Sequence, residues 1–378
     1  MVIGFVSKAD PFHNRVAWSG TYYKLREAIE LAGFDVRWIP CGNTLYETLL
    51  MFLLKVWNNT LGRKSKWLLE LHFRPIAKLR AKELDTNPIV KECDCLFFPC
   101  GAQMAPFSKI RMPYIYLSDA TASIMKDYYW INYNKKSLEM AFELDEMASQ
   151  KAFANIRSSQ WANDSLTNDY HCDSSKCHVL EFGPNIDIND ITPCQPYKGG
   201  QLRILFSGVY WNRKGGDVAV EVTELLRDKG IDARLTVAGP DRIPKRCEGK
   251  SYIDYVGYLN KNKKDDYKTY LELYAQSHIF LLPTKAECSA IVYSEAAAAG
   301  LPCYTYLTGG TGNYVVNGVN GRAIPLEATA NDFAEQIIQD IHAGKLPSFR
   351  EGASRISSER LSWEAWATGF AKIMVKFN

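Results

Sequence analysis

Two glutamates in the C-terminal half, Glu287 and Glu295, stand eight positions apart in the segment ECSAIVYSE. The apolar run at 278–283 predicts a buried strand, and the small residues after it predict a loop and then a helix beginning near Ser289. Eight residues span just over two helical turns, so both carboxylates can face one side. The first N–H groups of such a helix lack partners inside it and can bind an anion. The residues that supply them are Ser289, Ala290 and Ile291.

Such a unit would place a phosphate-binding helix end between two carboxylates. A nucleoside-diphosphate sugar needs this chemistry, because its diphosphate needs hydrogen-bond donors and its ribose and sugar hydroxyls need acceptors. An ordinary strand–helix unit with two solvated glutamates is the alternative that the spacing alone leaves open.

A basic pair, Arg213 and Lys214, precedes Gly215 and Gly216, where another helix is expected to begin. Cations beside a helix N-terminus can neutralise a bound diphosphate and the charge that develops on it when it leaves. An exposed basic pair without a ligand is the other interpretation of the same residues.

In the N-terminal half, Gly20 lies between a predicted strand and a predicted helix. Because it has no side chain, the backbone there can approach a phosphate or an acceptor molecule, although a plain turn glycine is the alternative. Asp119 follows the strand predicted at 114–117, where it is either a site residue or the N-cap of the next helix.

The composition, 47% hydrophobic and 23% charged, is typical of an ordinary soluble globular protein. Its 378 residues exceed what one hydrophobic core usually serves, so two domains are expected. A net charge of +3 is too small to indicate a nucleic-acid partner. The ten cysteines form no C-x-x-C pair, which favours reduced thiols and a cytoplasmic location. The longest apolar run, at 49–54, is too short to span a bilayer, and no secretory signal is evident.

Predicted strands and helices alternate along both halves of the chain, which indicates an α/β fold with parallel sheets. The Pro- and Gly-containing stretch at 192–201 is the expected linker. We therefore expect a Rossmann-like domain over 1–195, rejoined by a C-terminal helix at 359–378, and a second Rossmann-like domain over 196–358. Ligands in such sheets bind at the carboxyl ends of the strands.

The Glu287-x7-Glu295 pattern resembles the paired-glutamate motif of retaining GT-B glycosyltransferases, in the family 4 of sucrose synthases and mannosyltransferases. Other segments agree in their order. The segment 207–216, with Gly208, resembles the family's diphosphate loop, and 18–21 resembles the glycine loop of its N-terminal domain. The segments 158–162 and 181–185 resemble the end of that domain in a bacterial branch. The resemblance covers nearly the whole chain.

This resemblance implies a GT-B fold, in which two Rossmann-like doubly wound domains face each other across a cleft. The implied function is transfer of a sugar from a UDP- or GDP-sugar to a hydroxyl of a glycan or lipid-linked acceptor, with retention at the anomeric carbon, in polysaccharide or glycoconjugate biosynthesis. A GT-B phosphorylase or epimerase, and a non-catalytic sugar-nucleotide-binding protein, are the alternatives.

The resemblance also implies residue roles. Glu295 suits the ribose hydroxyls, and Glu287 suits the donor sugar. The catalytic set is Glu287, Arg213, Lys214 and Asp119. The donor-binding set is Gly20, Gly208, Arg213, Lys214, Glu287, Ser289, Ala290, Ile291 and Glu295. The acceptor-side residues are Trp18, Ser19 and Thr21.

Two positions depart from the family pattern. Asp119 stands near the point where many members carry a histidine, and Ala290 stands where a glycine is frequent. No metal or other cofactor is expected, because no Asp-x-Asp pattern occurs in a suitable loop. Arg213 and Lys214 can supply the positive charge instead.

The segment from Lys55 to Lys82 contains eight Lys or Arg residues and one acidic residue, Glu70, with aromatic and leucine side chains between them. A basic amphipathic segment of this kind can contact an anionic membrane, here at its inner face, and bring a lipid-linked acceptor close. A solvated insertion packed on the N-terminal domain is the alternative.

Overall fold

A computed structural model describes residues 1–42 and 44–376. The chain forms two compact units, one comprising Met1–Leu180 with Ala367–Asn378 and the other Glu181–Trp366. The sequence had assigned 181–195 and 359–366 to the first domain. In the structure, Phe182 stacks on Trp363 with ring centroids 6.1 Å apart, and the indole N–H of Trp363 donates to the Pro184 carbonyl at 2.8 Å. These contacts join both segments within the second unit.

The first unit contains a six-stranded sheet in the order β2-β1-β3-β4-β5-β6, and every neighbouring pair is parallel. β3 and β4 are buried throughout, as parallel strands covered on both faces usually are. The strands are β1 Val2–Ser7, β2 Asp35–Pro40, β3 Cys95–Pro99, β4 Tyr114–Ser118, β5 Ala154–Arg157 and β6 Cys177–Val179.

Six α-helices of this unit connect these strands: α1 Thr21–Leu31, α2 Leu45–Asn59, α3 Arg74–Thr86, α4 Ala122–Met125, α5 Lys135–Lys151 and α6 Gln160–Asn168. The segment 55–82 is therefore not one amphipathic element, because it contains the end of α2, a short 3-10 turn at Glu70–His72 and most of α3. Leu68 and Leu71, expected among its membrane-facing side chains, are buried in the protein core.

The second unit contains another parallel six-stranded sheet, in the order β12-β11-β10-β7-β8-β9. This is the strand order of the Rossmann fold, whereas the first sheet has the flavodoxin-like order with a sixth strand added; both orders are doubly wound, as expected. The strands are β7 Leu202–Ser207, β8 Ala233–Ala238, β9 Ile253–Gly257, β10 Ile279–Leu282, β11 Cys303–Tyr306 and β12 Gly321–Ile324.

The remaining helices are α7 Gly216–Asp228, α8 Lys264–Gln276, α9 Ile291–Ala298, α10 Thr311–Tyr314, α11 Ala330–His342, α12 Leu346–Glu359 and α13 Trp363–Val375. The C-terminal helix expected from 359 begins four residues later, at Trp363, because a break separates it from α12. The N–H groups of Arg360 and Leu361 close α12 on the Ile356 carbonyl, and the Ser362 hydroxyl accepts from the Ala365 N–H at 3.1 Å to start α13.

The helix after Glu287 was expected from about Ser289 but begins at Ile291, because Ala290 is extended, with φ −89° and ψ 100°. Glu295 therefore lies just over one turn inside α9. Among the described residues, no helix has the length and apolar character that crossing a bilayer requires.

Candidate functional site

The strand order of the second unit creates a crevice at the carboxyl ends of β7 and β10. These two strands are neighbours, but the chain continues from β7 toward β8 on one side and from β10 toward β11 on the other. In open parallel sheets, ligands bind where the connections part in this way. The loop after β7 carries Arg213 and Lys214, and the loop after β10 carries Glu287.

These three charged side chains meet. The Glu287 carboxylate forms a salt bridge with the Lys214 ammonium and lies 3.3 Å from an Arg213 nitrogen. The same Arg213 nitrogen donates to the Ala286 carbonyl at 2.8 Å, and its guanidinium lies 5.3 Å from the ring centre of Tyr210. Two cations thus face one carboxylate, which leaves a net positive charge for an anionic ligand.

The two loops also touch through their backbones. The Lys285 N–H donates to the Arg213 carbonyl at 2.9 Å. Gly215 has φ +75°, and a Cβ there would lie 1.9 Å from the Pro283 carbonyl oxygen, so only glycine fits between the loops. A Cβ on Gly208 would lie 3.0 Å from the Lys214 side chain, which covers this part of the loop. The predicted diphosphate loop therefore packs directly against the Glu287 loop.

Glu295 lies in a different, fully buried environment. One of its oxygens accepts from the Lys261 ammonium at 3.0 Å, and the other accepts from the hydroxyls of Tyr270 at 2.5 Å and Tyr274 at 3.2 Å. Burial and the adjacent Glu295 carboxylate raise the pKa values of both tyrosines well above the ordinary range, so they remain hydrogen-bond donors. The sequence analysis missed these three partners, because they come from α8 and the loop before it.

The start of α9 is the predicted site of phosphate-binding N–H groups. Ser289 is half-buried and Ala290 is buried, while Ile291 opens the helix. The Tyr293 N–H bonds to the Ala290 carbonyl at 2.9 Å and is not one of the available donors. The roles of Ser289, Ala290 and Ile291 as anion donors remain predictions.

In the first unit, the predicted glycine loop has an unusual backbone. Trp18, Ser19 and Gly20 all have positive φ angles, of 48°, 57° and 93°. Such angles are costly for Trp and Ser, and they persist where the surrounding structure enforces them, often at ligand sites. The Trp18 ring packs edge-on against Tyr22 at 5.7 Å, and Thr21 is fully buried at the start of α1.

Asp119 follows β4 but is not a helix cap. Thr121 is the residue before α4, and the first N–H of α4, from Ala122, bonds instead to the buried Asp145 carboxylate at 2.8 Å. Asp119 lies beside Cys100, where burial and the Asp119 charge raise the pKa of the thiol well above its usual value. The helix-capping alternative for Asp119 was therefore wrong.

A cavity of about 320 Å³ lies at the carboxyl ends of β1 and β3 in the first unit. Part of its wall comes from the strand ends at Ser7 and Cys100, and part comes from Met51 and Lys55 of α2 and the turn around His72. The sequence analysis did not find this cavity, because its α2 wall lies in a stretch for which no helix was predicted. Other side chains that line it are Lys8, Tyr22, Glu70 and Arg80.

Most of the second unit matches a known protein family in sequence. Residues 201–342 match the family described as Glycosyl transferases group 1. Residues 201–342 form a glycosyl transferases group 1 domain. This domain contains Arg213, Lys214, Glu287 and Glu295.

Two curated glycosyltransferases illustrate the sequence similarity. An uncharacterized glycosyltransferase of Methanocaldococcus jannaschii is 23% identical over 172 residues, which are 45% of this chain and 46% of that protein. The glycogen synthase of Mycobacterium tuberculosis is 27% identical over 183 residues, 46% of this chain and 42% of the synthase. The chain thus spans less than half the length of these relatives.

Solved structures show that the fold of the chain is GT-B. Sucrose-phosphate synthase from Thermosynechococcus elongatus superposes with a TM-score of 0.68 at 13% identity, covering 100% of this chain and 98% of the synthase. The Anabaena protein HepE, solved in complex with UDP-glucose, gives a TM-score of 0.63 at 16% identity and covers 100% of both chains. The expectation of a GT-B fold is confirmed.

Proposed function

We propose that this chain transfers a sugar from a nucleoside-diphosphate sugar to a hydroxyl of a glycan or lipid-linked acceptor. The observation that carries the proposal is the meeting of Arg213 and Lys214 with Glu287 at the parting loops of β7 and β10, inside a group 1 glycosyltransferase domain. A UDP-sugar is the first donor to test, since the similar HepE was solved with UDP-glucose, and a GDP-sugar is the second.

In the proposed site, the diphosphate binds Arg213 and Lys214. The donor must compete with Glu287 for Lys214, because the two side chains form an ion pair without it. The Glu287 carboxylate, once released from Lys214, is available to accept hydrogen bonds from the sugar hydroxyls. Glu295 accepts the ribose hydroxyls in this proposal, which requires that the Lys261 ammonium share or leave its carboxylate oxygen.

The proposed reaction retains the anomeric configuration. The acceptor oxygen forms a bond to the anomeric carbon on the face that the diphosphate leaves, and the bond between that carbon and the diphosphate oxygen breaks. The acceptor proton passes to the departing diphosphate. Arg213 and Lys214 stabilise the charge that accumulates on this leaving group, which takes the place of a divalent metal in our proposal.

The experiment is a donor screen followed by a turnover assay. Thermal shifts with a panel of UDP- and GDP-sugars identify the donor, and release of nucleoside diphosphate in the presence of sugar acceptors measures transfer. The proposal expects release that depends on Lys214, with the product retaining the donor's anomeric configuration by proton NMR. Affinity without any released nucleotide, across donors and acceptors, would identify a non-catalytic binding protein. Release of the sugar 1-phosphate with phosphate would identify a phosphorylase.

A further inference from the structure

Helix α2 exposes its apolar side and buries its polar side. Its two fully buried or nearly buried residues are Glu47 and Asn58. Glu47 receives two guanidinium nitrogens of the buried Arg80, at 2.6 and 3.1 Å, and Asn58 exchanges two 2.8 Å hydrogen bonds with the Trp67 backbone. These polar contacts, together with the half-buried Leu50, Met51 and Leu54, attach the helix to the first unit, whereas the fully buried positions of a surface helix are normally apolar.

The opposite side of α2 is a continuous apolar stripe in solvent. Leu45 is 90% exposed, Tyr46 63% and Phe52 61%. Leu45 and Phe52 are seven residues apart, and each exposed member of the stripe lies three or four residues from another, so they share one face of the helix. The other members are Leu49, Leu53, Val56 and Trp57, followed just after the helix by Leu61, which is 84% exposed. A continuous apolar patch along a helix is unfavourable in water unless something covers it.

The exposed charges of the segment that carries the stripe, 45–66, are all positive, and the nearest exposed carboxylate outside it is that of Glu70, whose N–H contacts the Met51 sulfur at 3.4 Å. Lys55, Arg63 and Lys64 are exposed, and Lys66 is half-buried. Glu47 is the only acidic residue from 45 to 66, and Arg80 already neutralises it. The exposed surface around α2 therefore combines an apolar strip with cations and carries no compensating anion within this segment.

We propose that α2 docks the chain onto an anionic lipid bilayer. The stripe of Leu45, Leu49, Phe52 and Val56, with its neighbours, enters the boundary between headgroups and acyl chains. The helix of 15 residues is about 22 Å long, which suits an orientation in the plane of the surface and not across it. The flanking cations lie at the level of the anionic headgroups.

A second copy of the chain fits this surface less well than a bilayer does. Face-to-face pairing of two α2 helices would bring Lys55, Arg63 and Lys64 of both copies together, with no acidic residue of the segment between them. An anionic bilayer instead supplies both an apolar layer and negative charge. The charge pattern therefore selects the bilayer.

Docking through α2 also has a consequence for the cavity of the first unit. Met51 lines the cavity from the side of α2 that turns away from the stripe, and Lys55, which flanks the stripe, lines the cavity as well. The bilayer surface and the cavity would then lie on two sides of the same helix. A membrane-anchored acceptor could present its headgroup at this cavity. That role of the cavity rests on the proposed function, whereas the docking of α2 does not.

Vesicle sedimentation of the full chain tests the docking. Wild-type protein should sediment with vesicles that contain phosphatidylglycerol and much less with pure phosphatidylcholine vesicles. The difference should shrink at high salt, because screening weakens contacts with headgroups. The double variant Leu49→Glu with Phe52→Glu should lower the apparent partition constant on anionic vesicles at least tenfold, since it removes two inserting side chains and adds repulsion.

A matched control separates the stripe from exposed leucines in general. Leu31→Glu with Leu326→Glu adds the same charges at residues that are 59% and 44% exposed outside α2, and it should bind vesicles like the wild type. Arg63→Gln with Lys64→Gln should weaken binding to anionic vesicles only.

Equal, negligible binding of wild type to both vesicle types would overturn the proposal, as would equal binding by all variants. A concentration-dependent dimer that Leu49→Glu with Phe52→Glu abolishes, without vesicle binding, would assign the stripe to a second copy. Sugar-transfer activity on soluble acceptors is measured separately, so a failure of the proposed function can be told apart from a failure of membrane docking.

Discussion

The ammonium of Lys214 contacts the carboxylate of Glu287, and the two residues follow neighbouring strands of the same sheet. Both side chains are nearly buried, with 11% and 8% of their surface exposed. A contact between charges in such a place is screened less by water than one on the surface. The pair therefore holds the two loops together, and an anionic donor must compete with Glu287 for Lys214.

Replacing Glu287 by Gln should separate binding from turnover. The amide keeps the size of the side chain but removes the charge that opposes Arg213 and Lys214. Nucleoside diphosphate should bind at least as tightly as to wild type, while nucleotide release from the sugar donor should fall at least tenfold. Titration calorimetry and the release assay measure the two effects. A variant with weakened diphosphate binding and normal turnover would be inconsistent with the proposed competition.

Replacing Glu295 by Gln should affect both stability and nucleotide binding. The change leaves the Lys261 ammonium without its carboxylate and removes an acceptor from Tyr270 and Tyr274, at a cost of about 1–3 kcal/mol in unfolding free energy. Nucleotide affinity should fall as well, because the ribose loses its acceptor. Tyr274→Phe is the control. It loses the 3.2 Å hydrogen bond to Glu295 and the 2.9 Å hydrogen bond with the Tyr270 hydroxyl, but it keeps the carboxylate and should bind nucleotide normally. Similar affinities for Glu295→Gln and wild type would rule out the ribose role.

Transfer should continue in excess EDTA. The reason is that Arg213 and Lys214 provide the positive charge next to the diphosphate that a divalent ion provides in other enzymes. The release assay with EDTA, and with added magnesium or manganese, measures this. Complete loss of activity that either metal restores would contradict the metal-independent mechanism.

His278 should make the second unit less stable in mild acid. Its Nδ1 accepts the Arg203 N–H at 3.0 Å, and burial, followed by the charges of Arg203 and Arg350, lowers its pKa to about 4. The unfolded chain has a histidine pKa near 6.5 and binds the proton more readily, so stability is full above pH 6.5 and falls toward pH 4. Between pH 7.5 and 4.5 this amounts to about 2–3 kcal/mol.

His278→Asn tests this pH dependence, because the amide oxygen can accept the same N–H but does not titrate. The unfolding free energies of both proteins, from urea titrations at pH 7.5 and 4.5, give the comparison. The variant should lose less stability in acid than wild type. The same loss in both proteins would show that His278 has no part in it.

The fold was accessible from the sequence because its strands are short apolar runs separated by glycine-rich turns. The proximity of the Arg213 and Glu287 loops is also predictable from the sequence, since both loops come after strands that a doubly wound sheet places side by side. Helix boundaries were less predictable. Ala290 gives no local signal against helix, so its extended backbone, which delays the start of α9 to Ile291, could not be predicted from the sequence.

Other parts of the site depend on contacts between distant segments. The partners of Glu295 lie 21 to 34 positions away in the chain, and nothing in the spacing of Lys261, Tyr270 and Tyr274 marks them as a group. The inverted polarity of α2 is another case. Its apolar residues have the spacing of a core-facing helix, and only the position of Arg80 opposite Glu47 shows that the polar side faces inward.

Calorimetric titration of the double variant Arg213→Ala with Lys214→Ala with UDP, or with GDP if the screen selects a GDP-sugar, tests the central claim most directly. Charge-assisted hydrogen bonds to phosphate are worth about 1.5–3 kcal/mol each, so the dissociation constant should rise at least tenfold. The control, Arg227→Ala with Lys229→Ala, removes two cations that also have carboxylate partners, at the far end of α7, and should leave affinity unchanged. An unchanged dissociation constant in the folded Arg213 and Lys214 variant would contradict the account.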